Sequence, residues 1–97
     1  MTHDTAEQLA SYRKTIDNLD SALLHILAER FRCTEQVGHL KAKQAMPATD
    51  NERERRQMER LKNLANDLGL GQQFVESLMK LIVGVVVERH KEIAAEK

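Results

Sequence analysis

The sequence predicts an all-α fold of three helices, one long and two shorter, in a chain that pairs with a second copy of itself. Three observations predict it. Apolar side chains recur at three-four spacing along most of the chain. Four glycines and one proline are too few for a loop-rich β fold. One uninterrupted segment is longer than a compact chain of 97 residues can cover alone. At this length a single domain, residues 1–97, is expected.

The first helix reads from Ala6 to Lys43. Its seam is Leu9, Tyr12, Ile16, Leu19, Leu23, Ile26, Arg30, Cys33, Val37 and Leu40, with Gly38 as its only glycine and Pro47 closing the connection that follows. At 1.5 Å per residue such a helix is roughly 55 Å long, against a radius of gyration of about 13 Å for a compact monomer of this size. The seam therefore protrudes unless another chain covers it, most simply in a two-fold dimer.

The second helix is expected to start near Asp50, where Thr49 and Glu52 have the spacing of a capping box. Glu54, Met58, Leu61, Ala65 and Leu68 share one stripe, and the break falls near Gly69. The third segment runs from Gln72 to the chain end and contains the β-branched run 81–87, which reads either as a buried strand or as a helix. A lone strand finds no pairing partner here, whereas Val75, Leu78, Met79, Ile82, Val86 and Ile93 fit a broad helical stripe; helix is the expectation.

Composition excludes several functions. Fifteen basic residues balance fifteen acidic ones, which leaves no net field for a nucleic-acid backbone or an anionic membrane. Tyr12, Phe31 and Phe74 are the whole aromatic inventory, too few for base stacking. Cys33 is the single cysteine, and no signal-peptide pattern or membrane-length apolar run is read, so a reducing cytoplasm is expected. His3, His25, His39 and His90 follow no metal-ligand spacing, and no nucleophile motif, phosphate loop or cofactor fingerprint occurs. Neither a metal nor a cofactor is expected.

The informative residues are charges placed where apolar side chains belong. Arg30 interrupts the seam, and an unpaired guanidinium in an apolar interface costs several kcal/mol, to an order of magnitude. It either pairs with a neighbour such as Glu29 or Glu35, or meets an anionic ligand. Lys41, eleven residues on, returns to nearly the same face. Arg13 flanks the seam; it is a solvated flank residue unless two copies cross antiparallel, which carries it beside the Arg30 to Lys41 stretch of the other chain. Glu54 falls on the apolar stripe of the second helix with Arg53 beside it, as a salt-bridge network at the helix start or as part of a site, and Asp50 reads first as a cap. His90 sits at the inner edge of the third helix's apolar face, as a satisfied core residue or as a ligand. Three cations against one inward carboxylate describe a pocket for a small polyanion, oriented and stabilised without covalent catalysis.

The segments Tyr12 to Asp20, Leu27 to Arg30, Val37 to Lys41 and Asp50 to Glu54 together resemble the all-helical chorismate mutases, over Leu9 to Ile93. The resemblance implies an intertwined homodimer with shared active sites and the rearrangement of chorismate to prephenate. It implies that Arg13 of one chain and Arg30 of the other hold the substrate carboxylates, that Lys41 donates to the ether oxygen, and that Arg53 and Asp50 support the helix-start region. Glu54 would accept the ring hydroxyl. His90 would be a second donor to the ether oxygen, at a position where many relatives carry glutamine or glutamate. Val86 replaces a small polar residue of several relatives, so one substrate contact is missing or falls to backbone. Docking of a larger, activating enzyme of the same pathway is a further partner the resemblance brings in. Isochorismate-pyruvate lyases and mutases of an amino analogue share this pattern, with Glu54 favouring chorismate. A non-catalytic helical dimerisation module is the alternative of another class.

Overall fold

A computed structural model describes residues 3–96. Among them are three helices and no strand, α1 (His3–Lys43), α2 (Asn51–Leu68) and α3 (Gln72–Ala95). The helix α1 starts three residues ahead of the expected Ala6 and ends at Lys43, with Asp4 in its first turn and Lys41 and Lys43 in its last, as the helix dipole favours. The valine-rich run of the third segment is helical, as its three-four stripe requires.

Helix ends are set by local hydrogen bonding. At the start of α2 the cap is Asp50, whose carboxylate accepts the Arg53 N–H at 3.1 Å. Asp50 is thus the cap it reads as in the sequence, one residue beyond the Thr49 of the expected capping box. The longer reach of a carboxylate to the third N–H, together with its charge at the positive end of the helix, favours Asp50 over the threonine. At the other end Gly69 adopts φ 71°, its N–H reaches Asn66 O at 3.3 Å, and Leu70 N–H reaches Ala65 O at 2.8 Å. This paired closure satisfies two carbonyls that a bare helix end leaves open. The end of α1 closes the same way, with Met46 N–H on Lys41 O at 2.8 Å and Ala45 N–H on Ala42 O at 3.3 Å. There the left-handed position, φ 56°, is held by Ala45 and not by a glycine.

The chain divides into two compact units, one ending at Cys33 and one beginning at Thr34. In the first, the seam of α1 lies open: Tyr12 is 67% exposed, Leu19 62% and Ile26 65%. Such a row of large apolar side chains at helical spacing is the signature of a surface made to be covered. In the second unit α2 packs on α3, and Ala65, Val75, Ile82 and Ile93 form the buried core, each large aliphatic chain worth roughly 1.5–3 kcal/mol of transfer free energy. Gly38, near the end of α1, is buried in the same unit. Leu78 leaves the expected core stripe and joins Phe74, Leu81 and Val85 on an exposed line of α3.

Candidate active site

Of the charged residues singled out by their position, Arg30 is the one whose environment is most unusual. It is half-buried, and its Nη1 is fully enclosed with no hydrogen-bond partner among the described residues. The two glutamates that could have neutralised it are engaged elsewhere. Glu29 takes Arg32, with Nη2 to Oε2 at 3.0 Å, and Glu35 takes Arg89, with Nη2 to Oε1 at 2.6 Å. A guanidinium nitrogen removed from water and left unpaired is costly unless a counter-charge meets it. Arg13 is exposed.

In the second unit, Lys41 is half-buried and enters no ion pair among the described residues, while its carbonyl is tied into the helix closure by Met46 N–H. Asp50 and Arg53 are exposed at the start of α2 and joined by the cap. The salt-bridge network at this helix start is built by Arg55, which holds Glu52 at 2.8 Å and Glu59 at 2.9 Å. Glu52 and not Glu54 therefore serves the network. Glu54 is half-buried and lines a groove of about 690 Å³ between α2 and α3, whose floor is Met58, Val83, Gly84 and Val87. Neither Lys41, Val86 nor His90 lines that groove. Val86 is half-buried.

His90 is 4% exposed and packs against the last turns of α1. Its Nε2 lies 2.7 Å from the carbonyl oxygen of Thr34, and its Nδ1 is enclosed without a partner among the described residues. A carbonyl only accepts, so Nε2 carries a proton and donates it. The approach is allowed by Gly38: a Cβ there would stand 2.6 Å from His90 Cδ2 and 2.8 Å from Ile93 Cδ1. Beside this contact Arg89 grips Glu35, whose carboxyl is held below the usual carboxylate range by that hydrogen-bonded guanidinium, against the opposing effect of burial. Sequence reasoning had no hold on Thr34 or Arg89, and it named Glu35 only as a potential partner of Arg30, not of Arg89. The one available signal was Gly38, a lone glycine in a 41-residue helix, marking a close approach. Among the described residues no group of three His, Cys, Asp or Glu side chains gathers as a metal site, and no helix is long and apolar enough to cross a membrane.

A family profile described as chorismate mutase type II matches residues 12–91. The chain belongs to the chorismate mutase type II family. The match spans Arg13, Arg30, Lys41, the Asp50 to Glu54 start of α2, and His90. Among its relatives in this family, the bifunctional chorismate mutase/prephenate dehydratase of Buchnera aphidicola subsp. Schizaphis graminum is 31% identical over 88% of the chain and 22% of its own length. That of Aquifex aeolicus is 29% identical over 90% of the chain and 25% of its own length. The chain thus spans about a quarter or less of these longer chorismate mutase relatives. The chorismate mutase of Methanocaldococcus jannaschii is 27% identical over 79% of the chain and 78% of its own length.

Proposed function

We propose that the protein is a chorismate mutase that converts chorismate to prephenate as a homodimer with shared active sites. The observation that carries the reading is the enclosed, unpartnered Nη1 of Arg30, in a family-matched segment whose neighbouring carboxylates are already engaged. A dicarboxylate substrate supplies the missing counter-charge. Arg30 holds one carboxylate, and Arg13 of a second copy reaches in to hold the other. The exposed α1 seam is the surface the second copy covers.

The rearrangement breaks one carbon–oxygen bond as one carbon–carbon bond forms, with no net proton transfer, so no general base is required. Catalysis rests on selecting the compact diaxial conformer and on stabilising negative charge at the ether oxygen as its bond opens. Lys41, half-buried and outside any ion pair among the described residues, is the donor to that oxygen. Glu54, on the lining of the groove between α2 and α3, accepts the ring hydroxyl, with Asp50 and Arg53 at the same helix start. Val86 offers no polar side chain, so the substrate contact expected at its position is missing or falls to backbone. A freely diffusing metabolite and a free thiol at Cys33 fit a cytoplasmic setting. The fused dehydratase names of longer relatives fit a partner enzyme of the same pathway for this chain as well.

The test is a product assay with chorismate and isochorismate side by side. Prephenate from the first and no pyruvate from the second is the expected result. Pyruvate release from isochorismate would make the protein a lyase, and no turnover of either would make it a dimerisation module.

A further inference from the structure

His90 makes a contact that a substrate donor would not need. Its Nε2–H is taken by the Thr34 carbonyl at 2.7 Å, and the ring's other nitrogen, which in the neutral imidazole carries a lone pair and no proton, is enclosed without a partner. In that form the ring has no N–H left to give. What it does have is a grip on α1. Thr34, Glu35 and Gly38 lie within about one helical turn of each other, and all three are engaged by α3: His90 bonds the Thr34 carbonyl, Arg89 chelates Glu35 with Nε 2.9 Å from each carboxylate oxygen, and His90 and Ile93 fill the space left by the missing Cβ of Gly38. Lys41 is three residues beyond Gly38, on the next turn, and its own carbonyl is held by Met46 N–H. The turn that carries Lys41 is thus clamped to α3 on its N-terminal side and closed on its C-terminal side.

We infer that His90 is a positioning residue: through the Thr34 carbonyl, across the gap at Gly38, it fixes the turn of α1 that presents Lys41, and it does not itself donate to the substrate. This rests on the reading of Lys41 as the donor to the ether oxygen. Gly38 belongs to the same device, because any side chain there pushes the imidazole off the carbonyl. A displacement of about 1 Å in a catalytic group is enough to lose on the order of 100-fold in rate. The clamp acts on Lys41 by this route.

Nitrogen NMR of the imidazole in the full chain tests the inference directly, without and with a stable oxabicyclic dicarboxylate that mimics the rearranging ether. The expected spectrum has the proton on Nε2 and a bare Nδ1 in both states. A free chain with the proton on Nδ1, or a shift of Nδ1 to a protonated, hydrogen-bonding signature when the analogue is added, overturns the proposal. Gly38→Ala, which removes no chemical group, is expected to keep its helix content and to lower kcat at least tenfold with a smaller change in KM. Wild-type kinetics in that variant would also overturn it. Should the variant fail to fold, the wild-type spectra decide. Absence of chorismate turnover by the unmodified protein would sink the proposed function instead, and the free-chain spectrum would still report whether Nε2 binds Thr34.

Discussion

Arg89 and Glu35 form a two-pronged ion pair between α3 and the end of α1, with Arg89 Nε 2.9 Å from both carboxylate oxygens and Nη2 2.6 Å from Oε1. The guanidinium is planar and matches the carboxylate edge, which makes this the strongest class of surface-accessible pair. Arg89 also reaches Glu92 at 3.3 Å, and Glu35 has His39 at 3.5 Å.

That pair predicts a specific acid sensitivity. Arg89 holds the Glu35 carboxyl below its ordinary range, so its contribution to stability is fully present above the unfolded carboxylate value and is lost as pH falls through the lower folded-state value. Glu35→Gln should reduce the urea midpoint at neutral pH, and the gap to wild type should close on strong acidification. A gap that persists unchanged into acid would mean the effect comes from packing and not from charge.

Two cations of α1, Arg30 and Lys41, are expected to carry transition-state stabilisation. Lys41→Ala and Arg30→Ala should each lower kcat/KM by about 10²–10³-fold, the loss typical of removing one preorganised donor from a desolvated site. Steady-state kinetics with chorismate, with helix content checked by circular dichroism, measures this. Near-normal kcat/KM in either variant would mean that the residue does not face the reacting bond.

The seam ahead of Cys33 makes oligomeric state testable by one charge. Leu23, 51% exposed in the single chain, is expected to be buried against the second copy. Leu23→Lys should convert the proposed dimer to monomer in sedimentation velocity and abolish turnover, because Arg13 of the second copy would then no longer reach the proposed shared site. A dimer that survives the substitution would place the interface elsewhere.

Ala45 holds a left-handed backbone, φ 56°, at the end of α1, where glycine is the usual occupant. Relief of the Cβ clash, roughly 1–2 kcal/mol, outweighs the extra unfolded-chain entropy of glycine, about 0.4–1 kcal/mol. Ala45→Gly should therefore stabilise the fold by roughly 0.5–1 kcal/mol in urea denaturation. Destabilisation would show that the turn is unstrained.

The three helices were legible because their signals are local and repeated: a three-four stripe, a carboxylate near the start of α2, and Gly69 at its end. What the sequence left open depends on choices between near-equivalent neighbours. Thr49 and Asp50 both carry a capping oxygen, and one residue of register decides which meets the Arg53 N–H. Arg53 and Arg55 both stand at the start of α2, and only the second lies three and four residues from Glu52 and Glu59. Arg30 was conspicuous as a charge in an apolar seam, but its unpaired state follows from where Glu29 and Glu35 turn, and the latter is claimed from 54 residues away. For the same reason the periodicity put His90 on an inner face without naming the carbonyl it meets.

Because Tyr12, Ile16, Leu19 and Leu23 stand open on a single chain, the heat tolerance of the proposed pair would obey mass action, and the melting temperature should climb as the solution is made more concentrated. In a cell, abundance then becomes a determinant of survival. Scarce chains spend longer alone, with a greasy flank offered to chaperones and proteases.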